Sequence, residues 1–538
     1  MLDYFLKLTT FSFIINTLLI PLSLFLAKKI NIVDYPDKRK IHIEPTPRSG
    51  GIAIFLTFLL TILVTQKLTP FLTMLIIANT LIFLIGIIDD KYNLSAYKKL
   101  AGEFIVATLI IFWGSIRFKI GGNYTGFLNS NLVSILLSYM WIIGVTNAIN
   151  LIDGMDGLAG GISFLSFCAI ITIAITKGFA LQGIIAGVFL GSIISFLNFN
   201  LPMAKLFLGD SGSLLLGFNI AILSLSVSYK TGTLLSVIFP SLFVLIPVID
   251  TIYAFFRRII KGKNPLTTPD REHLHHKLLL LKFSRNQALI IFYFFSGIFT
   301  TIAISLKSKN ILYGIIFSLS LIFLLFLAIY MLEKNKVDEK IEKFNHFTDK
   351  LKQKLLSGSN EQNNSLKIFI ILNSSLYVLA LYAISSFKEY YNIILVLLFI
   401  SYIILAIISA LLKEQGKMLL FINFWIDFLL IYVLVINGYE KMVQIILIVI
   451  FPFFLYKLIS RKKFIILIPT PTDILLFFSI LTILILKKYN PDIFPIIFYT
   501  AIFYTYKKII SIGNLETTVK FSLLQSLIFV LFLLSLIL

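Results

Sequence analysis

The sequence predicts an all-α, polytopic membrane protein, and three observations carry that expectation. Of its 538 residues, 58% are hydrophobic and only 14% charged, with a mean hydropathy of +0.95. Runs of roughly 18–25 apolar residues recur along the whole chain, the length that crosses a hydrocarbon core of about 30 Å. These runs are continuous, whereas a membrane β-barrel would show short alternating segments.

Taken in order, eleven spans are expected before a polar break, at approximately 4–27, 50–66, 69–88, 101–117, 131–148, 158–176, 179–198, 211–228, 232–256, 287–306 and 309–331. The first lacks a basic leader and a small-residue cleavage site, so it reads as a retained span and not as a signal peptide. Residues 1–332 therefore form one membrane-embedded domain. Residues 333–365 (EKNKVDEKIEKFNHF…SGSNEQNNS) are too polar to insert and read as a charged linker, part helix and part tether. Six or seven further apolar segments fill a C-terminal membrane domain over 366–538, in which Asp427 and Asp473 are isolated polar residues.

The net charge of +21 does not point to nucleic acid, because lysines and arginines at the ends of membrane helices set topology. Cys168 is the one cysteine and lies within a span, which excludes an internal disulfide framework and a cysteine-based zinc site.

Loop content alternates. The loops after spans one, three, five, seven and nine hold nearly all the polar chemistry, and alternate loops share one face of a membrane. That face is also the basic one: Lys28, Lys29, Lys38, Arg39, Lys40 and Arg48 fall in the first of these loops. Eight Lys/Arg stand against Asp270 and Glu272 in the last, over 257–286. The positive-inside rule makes this face cytoplasmic.

Four stretches on that face carry chemistry. Asp89 and Asp90 end the third span, where two adjacent carboxylates oppose the helix dipole and repel one another; a bound cation relieves both problems. Neighbouring helical residues point about 100° apart, so the two have different tasks. Lys98 and Lys99 follow, either as topological anchors or, for Lys99, as a phosphate contact. In NAINLIDGMDGLAGG, Asn147, Asn150, Asp153 and Asp156 recur every three residues. The first three occupy one arc of a helix, and Gly154 and Gly157 break that helix so that Asp156 turns toward the same space. Polar groups at this density beside a span are costly unless they bind something. Phe207-Leu208-Gly209-Asp210-Ser211-Gly212-Ser213 opens the eighth span, and free amides at a helix start suit an anion or a metal–phosphate complex, or else a simple N-cap. Finally, Arg271, His273, His275 and His276 bring three of the five histidines into the largest basic loop, as a phosphate-binding set or a solvated patch; His42 and Arg48 add to the same surface.

Carboxylates with few histidines favour a hard cation such as Mg²⁺, bound together with substrate phosphates. A basic surround suits a polyanionic donor, and the bilayer suits a lipid acceptor. The residues therefore read as metal-dependent phosphoryl transfer to or from a lipid.

GIIDD, NAINLIDGMDGLAGG, FLGDSGSLLLGF and PDREHLHH, in this order, resemble the polyprenyl-phosphate N-acetylhexosamine-1-phosphate transferases, glycosyltransferase family 4. The resemblance covers roughly residues 1–330. PTPRSGG looks more like the branch using UDP-N-acetylglucosamine than the branch using UDP-MurNAc-pentapeptide, which has a Thr-Met-Gly-Gly version there. The resemblance implies transfer of a sugar-1-phosphate from a UDP-sugar to undecaprenyl phosphate with release of UMP. It implies Mg²⁺, with Mn²⁺ as a substitute, at Asp89, Asp90 and Asp210; Asp210 is the direct ligand and Asp89 the base or nucleophile. Asn147, Asn150, Asp153 and Asp156 then position the diphosphate and uridine, Phe207 stacks on uracil, and Arg271 and the three histidines grip the donor. The setting implied is the bacterial inner membrane with the site on the cytoplasmic face, in a monomer or a homodimer. Glu103 departs from the family, which commonly has Gln there. A transporter is the rival class, and it predicts mid-span charges and paired repeats, which the sequence lacks.

Overall fold

A computed structural model describes residues 2–35, 45–118, 131–228, 239–265 and 272–305, with a few positions between 318 and 325 and between 471 and 475. His42, Asp270, Arg271, the linker, Asp427, Asp473 and almost all of the expected eleventh span and C-terminal domain lie outside the described residues.

Helices dominate, as the composition requires. They are α1 (Leu2–Lys29), α2 (Gly50–Thr65), α3 (Pro70–Tyr92), α4 (Ala96–Thr108), α5 (Asn131–Ile152), α6 (Leu158–Lys177), α7 (Ala180–Asn200), α8 (Gly209–Ser228), α9 (Leu245–Ile260), α10 (Leu274–Leu280) and α11 (Arg285–Ser305). Seven of them, α1, α3, α5, α6, α7, α8 and α11, are long and apolar enough to cross a membrane. The chain is a multi-pass membrane protein. α2 is equally apolar but has 16 residues. The expected fourth span is a 13-residue α4 continued by a π-helical turn, Leu109–Trp113. The described part of the expected ninth span opens as a 3₁₀ turn, Phe239–Val244, before α9.

A short strand pair stands among the helices. Val33–Asp34 (β1) and Thr46–Pro47 (β2) pair antiparallel, Val33 opposite Pro47 and Asp34 opposite Thr46. Arg48 N extends the pairing by donating to Ile32 O at 3.2 Å. This small hairpin carries the chain from α1 to α2.

α6, α7 and α8 are the most enclosed spans, while α3 and α5 keep one face outward. Apolar helices gain nothing from hydrophobicity against lipid, so packing and polar contacts hold them. α7 presents Gly183, Gly187 and Gly191 to Phe5, Thr9 and the Ser12–Phe13 backbone of α1. Asn16 Nδ2 then donates to Ser192 O at 3.0 Å, and Asn16 Oδ1 accepts from Thr57 Oγ1 of α2 at 3.1 Å. At the site end, α2, α3 and α8 meet at backbone distance. A methyl group added at Gly86 would stand 2.3 Å from Ser211 Cα, and one at Gly51 would stand 2.3 Å from Gly212 N.

The loops that the alternation argument placed on one face do converge. Phe207 N donates to Pro47 O, Gly50 N to Phe207 O and Gly51 N to Leu208 O, each at 2.9 Å. Gly157 N donates to Asn200 Oδ1 at 2.9 Å, and Asn200 Nδ2 to Leu206 O at 3.0 Å. The loops after α1, α5 and α7 are thereby joined.

Candidate functional site

α3 ends in the two adjacent carboxylates, and they point in different directions. Asp90 turns to the start of α8, where its two oxygens accept from Asp210 N at 2.9 Å and Ser211 N at 3.0 Å. Gly209 makes this approach feasible: its φ is +74°, and a side chain there would meet Asp90 Oδ2 at 2.7 Å. The anion on the amides that open α8 is therefore a protein carboxylate, supplied by another helix. Asp90, expected among the metal ligands, is placed as a cap that fixes α8 against α3, with Arg48 Nη1 at 3.7 Å.

Asp89 turns the other way. Its Oδ1 accepts from Leu94 N at 2.7 Å, and its Oδ2 lies 2.8 Å from Lys99 Nζ. The same ammonium reaches Asp210 Oδ1 at 2.8 Å and Asn150 Oδ1 at 3.0 Å. Asn150 Nδ2 donates to Asp210 Oδ1 and, at 2.8 Å, to Ser213 Oγ. Three hard oxygens from α3, α5 and α8 thus surround one point, and a cation sits on it. Among the described residues no three His, Cys, Asp or Glu form a ready-made metal cage. Two carboxylates and an amide oxygen nevertheless fit a divalent ion that takes its remaining ligands from water and phosphate.

Beside this point opens a cavity of about 540 Å³, lined by Asp34, Arg48, Asn150, Asp153, Asp156, Phe207, Asp210, His276 and Arg285, among others. α5 ends at Ile152, and a turn over 153–157 carries Asp153 and Asp156 into the cavity wall, with Gly157 at φ +81°. Burial, and then the Asp210 and Asp90 carboxylates, push the Asp153 carboxyl well above the usual range. Asp156 faces Arg285 Nη1 at 3.0 Å, and Arg48 Nη2 faces Asp34 at 2.6 Å. Asp34, Arg285 and Asn200 went unsingled in the sequence, and each serves this cavity or its walls.

Two further expectations resolve differently. Asn147 is absent from the cavity lining; its Nδ2 donates to Glu103 Oε2 and to Ile143 O, while Glu103 Oε1 is buried without a partner. Of the three histidines, His276 alone lines the cavity. His273 is buried with its Nδ1 2.8 Å from Asp250 Oδ2. His275, 1% exposed, lies under the 153–157 turn, where a side chain at Gly154 would meet its Nε2 at 2.5 Å.

Neither ring nitrogen of His275 has a hydrogen-bond partner, and an unmet buried donor costs about 1–3 kcal/mol. Burial, with the neighbouring His276, holds its pKa down to about 3. The unfolded imidazole takes a proton near 6.5. Between those values the unfolded chain binds more protons than the native one, so stability falls as pH drops. Thermal unfolding in detergent from pH 8 to pH 4 should show this acid limb, and His275→Leu should flatten it. An unchanged limb in the variant would assign the loss to other groups.

Residues 72–228, which carry the Asp89–Asp90, Lys99, Asn150–Asp156 and Asp210 groups, match glycosyl transferase family 4. Over 333 residues the chain is 36% identical to a probable undecaprenyl-phosphate N-acetylglucosaminyl 1-phosphate transferase of Bacillus subtilis, covering 61% of this chain and 91% of that relative. The chain belongs to glycosyl transferase family 4. It is also 33% identical to a decaprenyl-phosphate N-acetylglucosaminephosphotransferase of Mycolicibacterium smegmatis, over 51% of this chain and 75% of the relative. An undecaprenyl-phosphate alpha-N-acetylglucosaminyl 1-phosphate transferase of Escherichia coli K12 is 27% identical, over 52% and 77% respectively. The family 4 match, which holds the first three motifs, and the relatives bear out the resemblance, and the match spans the junction of α3, α5 and α8 on which the Lys99 ammonium sits.

Proposed function

We propose that this family 4 protein moves an N-acetylhexosamine-1-phosphate, GlcNAc-1-phosphate in the favoured case, from a UDP-sugar to undecaprenyl phosphate, releasing UMP and starting a cell-envelope glycan. The observation that carries the reading is the convergence of Asp89, Asp210 and Asn150 oxygens on one cation position beside a cavity edged by Arg48 and Arg285. The names of the relatives support the lipid acceptor and the sugar. The basic loops support a cavity on the cytoplasmic face of the inner membrane. The transferase occupies residues 1–332, followed by the linker 333–365 and a membrane domain of unassigned chemistry over 366–538.

In this reading an oxygen of the lipid phosphate attacks the donor phosphorus that bears the sugar, and the bridging oxygen leaves with UMP. Both reactants are anions, so neutralising charge and aligning the groups dominate the barrier. Mg²⁺, or Mn²⁺ in its place, would be held by Asp89, Asp210 and Asn150 and supplies neutralising charge when bound. Arg48 and Arg285 bring cations to the phosphates, and the Lys99 ammonium would turn to them once a metal ion takes its place at Asp89 and Asp210. Phe207 offers a ring for the uracil from the loop that pairs with β2. Asp89 Oδ1 is engaged by Leu94 N and its Oδ2 faces the cation position, which favours direct attack by the lipid over a covalent phosphosugar on Asp89.

The test is UMP release by the purified protein with undecaprenyl phosphate and a panel of UDP-sugars. UDP-GlcNAc should give the fastest EDTA-sensitive turnover. Preference for UDP-MurNAc-pentapeptide would move the protein to the peptidoglycan branch, and no turnover with any UDP-sugar would overturn the reading.

A further inference from the structure

His276 reaches the cavity from α10, a helix of seven residues. A helix this short does not hold itself together, so its position is set by what anchors it. Its first residues are anchored by α9. Asp250, 4% exposed, accepts from Leu274 N through Oδ1 at 3.0 Å and meets His273 Nδ1 through Oδ2 at 2.8 Å. Two turns further along α9, Arg257 Nη1 donates to Glu272 O at 3.1 Å, and its Nε lies 3.4 Å from the Glu272 carboxylate. Three successive residues, Glu272, His273 and Leu274, are therefore gripped by one helix. The N-cap residue of α10, His273, makes no capping bond with its own side chain, so Asp250 supplies what the cap lacks.

A buried carboxylate is an expensive anchor, because removing it from water costs several kcal/mol unless every oxygen is met. Asn or Ser would cap α10 at lower cost. What a carboxylate adds here is a separate oxygen for each of two donors, a backbone N–H and an imidazole N–H. With its Nδ1–H committed to Asp250, His273 is held in one tautomer and one orientation. The ring of His275 then packs between those of His273 and His276, with centroids 6.0 Å and 4.1 Å away. The chain of contacts runs from Asp250 through His273 and His275 to His276.

We propose that Asp250 is a positioning residue for donor binding: acting through His273 and the start of α10, it aims His276 into the cavity. The inference rests on the reading of that cavity as the UDP-sugar site. Asp250→Asn keeps size and an acceptor for Leu274 N but faces His273 Nδ1 with an amide, so it tests the imidazole bond more than the fold.

Steady-state UMP release with UDP-GlcNAc and undecaprenyl phosphate should show the donor KM raised about tenfold, more than kcat is lowered, with the lipid KM little changed. The deciding measurement is the same substitution in a His276→Ala background. If Asp250 works through His276, the second substitution should add less than about twofold, a clear departure from additivity. Full additivity, or a fall in kcat at unchanged donor KM, would overturn the proposal. Should Asp250→Asn not yield a monodisperse protein, Arg257→Gln in the same two backgrounds tests the same grip, with the same outcomes deciding. Failure of the wild-type protein to use any UDP-sugar would instead remove the functional reading and this inference with it.

Discussion

Asp210→Asn should lower UMP release by about 10³-fold or more, which corresponds to about 4 kcal/mol of lost transition-state stabilisation. The geometry explains why this residue should dominate. Asp210 Oδ1 is the atom at which Lys99 and Asn150 meet, so it is the oxygen most committed to the cation position. Substitution by Asn removes the charge and retains the shape. It also leaves intact the Asp210 backbone amide that Asp90 caps, so the start of α8 should hold. The check is turnover against Mg²⁺ concentration, alongside a melting curve. Wild-type turnover in a folded variant would remove Asp210 from the metal centre.

The second large effect concerns Lys99, and its two readouts should move in opposite directions. The Lys99 ammonium neutralises Asp89 and Asp210 at 2.8 Å each. A divalent ion on those oxygens would repel a lysine at that distance, so metal entry is expected to displace the ammonium. Lys99→Met should therefore bind Mn²⁺ about tenfold more tightly in the absence of substrate, as measured by electron paramagnetic resonance titration. Turnover should nevertheless fall by about 10²-fold, because the displaced cation is no longer there to meet phosphate. The metal-free variant should also melt lower, with two carboxylates left facing each other. Unchanged Mn²⁺ affinity would show that ammonium and metal occupy different places.

Much of this site was legible in the sequence, and the parts that were not have physical causes. The convergence of loops followed from counting spans and charges, because topology in a bilayer is discrete. The divergence of Asp89 and Asp90 followed from the turn angle of a helix. Asn147 was grouped with Asn150 and Asp153 because residues three apart share an arc, but each such step also climbs about 4.5 Å. Six residues before Asp153, Asn147 stands about 9 Å deeper along α5, where Glu103 is its neighbour. Asp34 and Arg48 join through a β-hairpin, a geometry that an all-helical reading does not contain. The histidines were read as one surface because they are adjacent in sequence; on α10 adjacent residues point in different directions, and two of the three face inward. Asp250 did leave a signal, a lone carboxylate inside an apolar run, and such a residue demands a partner.

The bond between Asp90 and the backbone of Asp210 has a consequence for which ion the proposed site would accept. Asp89 and Asp90 are adjacent on α3, so capping α8 with one carboxylate sets how far the other stands from Asp210. The Asp90 side chain, bonded to main-chain amides, thus holds the gap, and Gly86 and Gly209 leave no slack at the seam. A jaw of fixed width discriminates by ionic radius. Ca²⁺, which needs oxygens at about 2.3–2.6 Å and more of them, should seat poorly where Mg²⁺ and Mn²⁺ fit. Relaxing that jaw by Asp90→Ala should blunt the discrimination by freeing the start of α8.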